Sequence, residues 1–385
     1  MPISSLHIIH SLDCRLGGVV TAALGVCQEL AVFGQPVELL ASRAPTDKVE
    51  RVGSDFPSVP ATYVPRSFPA RFFNSVAIDD WIDTHVGRFQ LVELHGVFTA
   101  VTARAARVLA RRGVPYLLRS HGGLDPFDLR KKSLLKRLLG PWYIRPLVDR
   151  CAGIMCTTDL EAQRLVTFGG KARRFVVPLP VPLASLASRE DAISFRRRHG
   201  IPADAVVVLF LSRIDYKKGL EFLIPALADL KIKEPRLWFV LAGAGEAAFV
   251  SKVSGLVKDH QMAGWTTMPG FLSGDEKRAA LAGADVFALP SLNENFGIVV
   301  VEALQAGLPV LISSEVYIHR EIVRGSAGVV CEPSYESCRI HLGHLLKDAQ
   351  MRNDLRKQAK LVAAKVFSPE AATQRLIDVY EQVLQ

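Results

Sequence analysis

The stretch at residues 291–313, SLNENFGIVVVEALQAGLPVLIS, predicts a loop, a helix, a turn and a buried strand in that order. The predicted helix, Gly297–Ala306, is followed at once by a glycine and then by a proline, a combination that commonly ends a helix. Short apolar strands are predicted on either side, at Ala284–Leu289 and Val310–Ile312. The stretch therefore indicates one strand–helix–strand unit of an α/β protein.

Two carboxylates in this stretch, Glu294 and Glu302, lie eight residues apart, the first in the loop and the second inside the predicted helix. At about 1.5 Å per helical residue they are separated by roughly 12 Å or less. The free N–H groups of Phe296, Gly297 and Ile298 would open the helix, and such a helix start attracts a diphosphate. The alternative is a strand–helix unit in which both carboxylates are simply solvated.

The run from Asn293 to Val310, NENFGIVVVEALQAGLPV, resembles the family four glycosyltransferases, which are retaining enzymes of the GT-B architecture. The resemblance covers nearly the whole chain and is most specific from residue 205 to residue 331. It implies an α/β fold with two Rossmann-like, doubly wound parallel-sheet domains that face each other across a cleft. Residues 1–180 would form the acceptor-side domain, together with a C-terminal crossing helix at 369–385. Residues 181–368 would form the domain that binds a nucleotide diphosphate sugar.

A second pair of charged residues, Arg213 and Lys218, lies in the loop after the predicted buried strand Val206–Leu211. The resemblance implies that this R-x4-K-G loop grips the donor diphosphate. A guanidinium offers two parallel hydrogen bonds and an ammonium adds a point charge, which fits that role. The alternative is an ordinary charged loop.

The resemblance also implies further donor contacts and four catalytic residues. Glu302 would accept hydrogen bonds from the ribose hydroxyls, and Glu294 would hold the donor sugar. The backbone near Phe271 and Leu272 would contact the nucleobase. The implied donor-binding residues are Gly17, Gly18, Arg213, Lys218, Gly243, Gly245, Phe271, Leu272, Glu294, Asn295, Phe296, Gly297, Ile298 and Glu302. The implied catalytic residues are Glu294, His121, Arg213 and Lys218.

Two histidines lie at the ends of predicted strands: His95 is the last residue of Leu91–His95, and His121 follows Pro115–Arg119. Active sites of doubly wound sheets lie beyond the carboxyl ends of strands, so both are candidates for a site, and His121 is the stronger one. The alternative for each is a histidine that caps its loop.

The positive charge is concentrated in the first half of the chain. Residues 1–180 contain 23 Lys and Arg against 15 Asp and Glu, whereas residues 181–385 contain 24 against 23. Much of the excess lies in Arg130–Arg150, which adds leucines and the pair Trp142–Tyr143 to seven cations. A basic amphipathic helix of this kind either lies on an anionic membrane or packs its leucines inward and solvates its lysines. No nucleic-acid partner is expected.

No metal or other cofactor is expected, because the chain has no D-x-D and its six cysteines show neither C-x-x-C nor zinc spacing. The N-terminus lacks the pattern of a signal peptide, and we expect a cytoplasmic protein, with peripheral attachment to the membrane if the basic helix binds lipid. The favoured function is sugar transfer from a nucleotide diphosphate sugar to a saccharide or a lipid-linked saccharide in surface polysaccharide assembly. The alternatives are an epimerase or phosphorylase of the same fold, and a non-catalytic polysaccharide-binding or scaffold protein.

Overall fold

The computed structural model describes residues 2–13, 16–49, 59–69, 72–130, 133–183 and 187–385, without the side chains of 133–139. It divides into two compact units. The first comprises Met1–Pro182 with Pro369–Gln385, and the second comprises Leu183–Ser368. The boundary predicted from the sequence, after residue 180, lies just before the observed one.

The first unit is built on a parallel seven-stranded sheet with the order β3-β2-β1-β4-β5-β6-β7. The central strand LVELH is buried along its whole length, as expected for a parallel strand that helices cover on both faces. The strands are β1 Ser5–Ile9, β2 Val37–Arg43, β3 Ala61–Pro65, β4 Leu91–His95, β5 Tyr116–Arg119, β6 Gly153–Cys156 and β7 Arg174–Val176. The helices are α1 Gly18–Val32, α2 Ala77–His85, α3 Ala100–Arg112, α4 Pro126–Arg130, α5 Ser133–Arg150 and α6 Asp159–Arg164, with a 3₁₀ turn at Val86–Arg88.

The second unit repeats this plan with a parallel six-stranded sheet of order β10-β9-β8-β11-β12-β13. Its strands are β8 Val206–Leu211, β9 Leu237–Ala242, β10 Thr266–Gly270, β11 Val286–Leu289, β12 Val310–Ser313 and β13 Gly328–Cys331. Its helices are α7 Arg189–Arg198, α8 Leu220–Lys231, α9 Ala247–Asp259, α10 Gly274–Ala282, α11 Ile298–Gln305, α12 His319–Arg324, α13 Tyr335–Lys347 and α14 Ala349–Lys365, with 3₁₀ turns at Tyr216–Lys218 and Ala263–Trp265.

The last helix, α15 at Pro369–Leu384, returns to the first unit and packs against α1. It buries Leu376 and Tyr380, so one tyrosine hydroxyl from the end of the chain enters the core of the N-terminal unit.

One part of the first unit differs from the sequence prediction. The sequence predicts an irregular, proline-rich stretch at residues 43–74, but Ala61–Pro65 within it forms β3. This strand lies at the edge of the sheet, where a proline does not remove a needed ladder hydrogen bond. The basic segment is helical in its described parts, α4 and α5, and residues 131–132 lie outside the described residues.

Candidate active site

The central contact of the second unit joins the loop after β8 to the loop after β11. Lys218 donates a hydrogen bond from Nζ to Oε2 of Glu294, and the two side chains are only 11% and 20% exposed. The backbone brings these loops together, since Leu292 N donates to Lys217 O at 2.6 Å. Gly219 makes the approach possible, because a Cβ there would lie 2.0 Å from the carbonyl oxygen of Pro290. The structure thus brings together two residues that were predicted separately.

Backbone contacts with a third loop hold Glu294 in place. Its N–H donates to Glu315 O and its carbonyl accepts from Tyr317 N, both at 2.9 Å. The neighbouring Asn293 is buried and donates to the Tyr317 hydroxyl at 3.2 Å. The loop carboxylate is therefore part of a fixed backbone rather than a solvated surface group.

Helix α11 begins directly beside this pair. Its N-cap, Gly297, has φ 79° and gives no side-chain cap to the helix. Within the described residues, the N–H groups of Phe296, Gly297 and Ile298 donate to no other backbone carbonyl. Phe296 is buried against Phe367 with 6.0 Å between the ring centroids, which fixes the entry to the helix. The predicted helix start is thus observed, one residue later than expected, with donors available for an anion.

The second predicted carboxylate is also held by a lysine. Glu302 accepts a hydrogen bond from Lys277 Nζ at 2.7 Å, and both side chains are largely buried. The pair lines a cavity of about 270 Å³, together with Ser188, Arg189 and Lys360 among others. Lys277 was not singled out from the sequence, because a lysine at the start of an amphipathic helix carries no signal of its own.

Two of the glycines predicted to bind the donor, Gly243 and Gly245, also allow a close backbone contact within the second unit. A Cβ at Gly243 would lie 1.9 Å from Ser212 O, and one at Gly245 would lie 2.0 Å from Ile214 O. The loop after β9 therefore packs against the backbone of the loop after β8, and it fixes the position of that loop. Phe271 is half-exposed beyond the end of β10, next to Leu272.

Arg213 lies at the start of the loop that Lys218 closes. It is exposed, and it forms no hydrogen bond or ion pair with other described residues. A guanidinium without a partner near a fixed backbone turn can accept an anionic ligand at little cost, since no existing ion pair has to be broken.

In the first unit, the glycine pair after β1 opens helix α1. Gly17 is the N-cap of α1, with φ 68°, and a Cβ added at either Gly17 or Gly18 would meet nothing within 4 Å. Unlike Gly243 and Gly245, these two glycines leave room above the backbone. The neighbouring residues 14–15 lie outside the described residues.

His121 lies at the carboxyl end of β5, where the sequence predicted it, and it is joined to two other histidines. Its Nε2 lies 2.9 Å from Nδ1 of His95, and His95 Nε2 lies 3.0 Å from Nδ1 of His7. His7 and His95 are fully buried, whereas His121 is only partly buried. His121 also has φ 49°, an uncommon value for a residue with a side chain.

A buried ion pair supports the inner end of this histidine chain. Arg119 Nε donates to Glu93 Oε1 at 2.5 Å, and the Tyr380 hydroxyl donates to Glu93 Oε2 at 2.8 Å. Although burial acts to raise the pKa of Glu93, the Arg119 guanidinium holds it below its ordinary value. Glu93 is therefore an ionised acceptor inside the core.

Burial keeps the three histidines neutral. It lowers the pKa of His7 to about 4. It also lowers the pKa values of His95 and His121 well below the usual range, and neighbouring histidines and Arg119 act in the same direction. His7, Glu93 and His95 have the ligand types of a metal site. However, both oxygens of Glu93 already accept hydrogen bonds, and a cation there would face the Arg119 guanidinium.

The sequence analysis did not identify Glu93, Arg119, His7 or Tyr380 as members of this group. Glu93, Arg119 and His7 are polar residues in strands, and a polar residue in a strand also suits a solvated sheet face. Only the pairing of β1, β4 and β5 shows that they share one buried position.

The basic segment has one clearly exposed aromatic residue. Trp142 on α5 is 81% exposed, whereas Ile144, Leu147 and Val148 are buried in the core of the unit. The side chains of the leucines at 134, 135, 138 and 139 lie outside the described residues. Among the described residues, no helix combines the length and apolar character needed to span a bilayer.

Two family models match most of the chain. Glycosyl transferases group 1 matches residues 191–362, and the glycosyl transferase 4-like domain matches residues 17–180. The first model covers the loops that carry Arg213, Lys218, Glu294 and Glu302. The second covers Gly17 and the strand ends at His95 and His121.

Individual relatives agree with these models. An uncharacterized glycosyltransferase of Methanocaldococcus jannaschii is 29% identical over 51% of this chain and 50% of its own length, so the chain spans about half of that relative. A phosphatidyl-myo-inositol mannosyltransferase of Mycolicibacterium smegmatis is 28% identical over 87% of this chain and 83% of its own. HepE of Anabaena, solved with UDP and glucose, matches with a TM-score of 0.82 at 17% identity, over 99% of this chain and 100% of its own. The chain belongs to the family four glycosyltransferases and has their GT-B fold of two Rossmann-like parallel-sheet units.

Proposed function

We propose that this protein is a retaining, metal-independent glycosyltransferase that uses a nucleotide diphosphate sugar. The observation that carries this proposal is the grouping of Lys218, Glu294 and the uncapped start of α11 in one place. Together they offer a cation, a fixed carboxylate and free N–H donors, which are the groups needed to hold a sugar and a departing diphosphate. A scaffold protein has no reason to maintain such a group.

In this proposal the diphosphate is held by Arg213, Lys218 and the N–H groups at the start of α11. These groups stabilise the negative charge that develops as the sugar–phosphate bond breaks, and one such donor is commonly worth about 3–4 kcal/mol in a dry site. They supply the charge that a metal ion supplies in other transferases, and the sequence has no D-x-D to hold such an ion.

The two carboxylates have separate roles. Glu294 accepts a hydrogen bond from a hydroxyl of the donor sugar. It is kept oriented by its ion pair with Lys218 and by its backbone contacts to the loop after β12. Glu302 accepts hydrogen bonds from the ribose hydroxyls, and its ion pair with Lys277 keeps that carboxylate oriented until the ribose arrives. Retention follows if the acceptor hydroxyl attacks from the face that the diphosphate leaves, without a covalent enzyme intermediate.

We assign acceptor binding to the N-terminal unit, and a saccharide or lipid-linked saccharide as the acceptor, in surface polysaccharide assembly. The excess of positive charge in residues 1–180 supports an anionic acceptor or an anionic membrane nearby. The exposed Trp142 on a basic helix supports peripheral attachment to that membrane through residues 130–145.

The test is to incubate the full chain with a panel of nucleotide sugars and to measure release of the nucleotide diphosphate, with and without saccharide acceptors. We expect slow hydrolysis of one donor, and faster release when the correct acceptor is present. Turnover of the sugar without an acceptor, or a requirement for inorganic phosphate, would instead indicate an epimerase or a phosphorylase. Binding of saccharides with no turnover of any donor would indicate a scaffold.

A further inference from the structure

The buried hydrogen bonds beneath His121 form a chain in which all histidine donors must point the same way. From the inside outward it joins the Tyr380 hydroxyl to His7 Nε2 at 3.3 Å, His7 to His95 at 3.0 Å, and His95 to His121 at 2.9 Å. Each contact between two ring nitrogens requires one N–H and one lone pair. A neutral chain therefore has two arrangements only, with every proton on Nε2 or every proton on Nδ1.

Glu93 selects between these arrangements. Tyr380 has a single hydroxyl proton, and it must point to Glu93 Oε2 at 2.8 Å, because an ionised carboxylate can only accept. The Tyr380 oxygen then presents a lone pair to His7 Nε2, which favours a proton on that nitrogen, and the Ser5 hydroxyl, 3.4 Å from the same nitrogen, can also accept from it. The same carboxylate lies 3.8 Å from His95 Nε2, so its negative charge favours a proton there as well.

We propose that the chain Tyr380–His7–His95 fixes His121 as the neutral tautomer with its proton on Nε2, so that Nδ1 offers a lone pair to a sugar hydroxyl. His121 Nδ1 forms no hydrogen bond with the residues that the structure describes, and the residue is only partly buried. The hydrogen bond to His95, whose ring is nearly coplanar with it at 22°, and its left-handed backbone hold it in this orientation. The choice of a sugar as ligand rests on the proposed function.

This assignment changes what His121 can recognise. A neutral ring with a free Nδ1 accepts a hydrogen bond from a hydroxyl group, but it cannot donate one to a phosphate oxygen. His121 would therefore contact a sugar and not the leaving diphosphate. Tyr380, His7 and His95 are positioning residues in this account, because they act only through His121.

The direct test is nitrogen-15 NMR of the full chain with labelled histidine, recorded at pH 7, because protonated and unprotonated ring nitrogens resonate in separate regions. We expect His7, His95 and His121 each to show a protonated Nε2 and an unprotonated Nδ1. A protonated Nδ1 on His121, or a doubly protonated ring, would overturn the proposal.

The Tyr380→Phe variant tests whether the Tyr380 hydroxyl sets the tautomers of the three histidines, since it removes the hydroxyl and keeps the ring. We expect the two His121 nitrogens to shift towards values averaged over both tautomers, and kcat/KM to fall about two- to tenfold, the value of one neutral hydrogen bond. The matched control is Tyr116→Phe, which removes an equally buried hydroxyl that donates to Leu147 O at 2.8 Å in the same unit. The control should leave the His121 signals unchanged. An unchanged His121 tautomer in folded Tyr380→Phe would refute the role of Tyr380.

Ligand titrations identify the hydroxyl. A shift of the His121 Nδ1 signal on adding UDP-glucose or GDP-mannose would assign a donor-sugar hydroxyl, and a shift on adding only a free saccharide would assign an acceptor hydroxyl. A folded enzyme that turns over a nucleotide sugar without moving this signal under either condition would overturn the ligand half of the proposal. Failure to turn over any donor, with the tautomers as expected, would count against the proposed function and not against the histidine chain.

Discussion

Lys218 and Glu294 form an ion pair across 76 residues of sequence, between the loops that follow two neighbouring strands of the second sheet. The contact holds the carboxylate assigned to the donor sugar in one orientation. Such preorganisation reduces the free energy that substrate binding must provide to order the site.

Replacing Lys218 by alanine should lower kcat/KM for the donor by at least tenfold. The change removes a cation from the diphosphate and leaves the mostly buried Glu294 carboxylate without its partner. A hydrogen bond to a charged group is worth roughly 1.5–3 kcal/mol, which corresponds to that loss. Steady-state kinetics with varied donor measure the effect, and circular dichroism checks the fold.

The matched control for this change is Lys252→Ala. Lys252 also pairs with a glutamate of the same unit, Glu221, but both side chains are largely exposed. Exposed pairs contribute about 0–1 kcal/mol, so this variant should retain its kinetics. Kinetics like those of the wild type in folded Lys218→Ala would contradict the assignment of the donor loop.

The Glu302→Gln variant should raise KM for the donor and change kcat much less. Glu302 is assigned to the ribose, which does not react, so its hydrogen bonds form equally in the ground state and the transition state. The matched variant is Glu294→Gln, which alters the group at the reacting sugar and should lower kcat. An equal loss of kcat in both variants would contradict the division of roles between the two carboxylates.

The sequence predicted the framework of this site better than its contacts. The strands at Leu91–His95 and Val206–Leu211 match the prediction residue for residue. The second is a continuous apolar run bounded by loops, and such a run is a strong local signal. The contact of Lys218 with Glu294 depends on which strands are neighbours, and no local pattern contains that information. The same holds for Tyr380, which reaches the histidine chain from the opposite end of the sequence.

Activity should persist in excess EDTA. The diphosphate charge is assigned to Arg213, Lys218 and the start of α11, so chelation removes nothing that the leaving group needs. Initial rates measured with EDTA, and again after addition of Mg²⁺ or Mn²⁺, give the answer. Loss of activity on chelation with recovery on adding the metal would show that the leaving-group assignment is wrong.

Stability should fall as the pH decreases from about 6.5 towards 4. The pKa of His7 is lowered to about 4 in the folded state, so between these values the unfolded chain binds a proton that the folded chain does not. His95 and His121 shift in the same direction. The free energy of unfolding lost through His7 alone amounts to roughly 3 kcal/mol at most. Urea unfolding at several pH values measures the slope.

The His7→Asn variant provides the control for this slope. Asparagine does not titrate, so the variant should lose less stability than the wild type over the same pH range, even if it is less stable at pH 7. An identical pH dependence in the two proteins would show that His7 is not a buried neutral group.

Peripheral membrane binding is the last prediction, and liposome co-sedimentation tests it. Binding should require anionic lipid and weaken at high salt, since each Lys or Arg near an anionic surface contributes about 1 kcal/mol that salt screens. It should fall when Lys131, Lys132, Lys136 and Arg137, whose side chains lie outside the described residues, become glutamine. Trp142→Ala should weaken it further, because an 81% exposed indole on that segment suits the lipid interface.

As a charge control for the membrane prediction, Arg111→Gln with Arg112→Gln removes two exposed cations of α3 that pair with Asp83, and it should leave lipid binding intact. Equal sedimentation with neutral and anionic vesicles, or none with either, would mean that the basic segment is ordinary solvated surface.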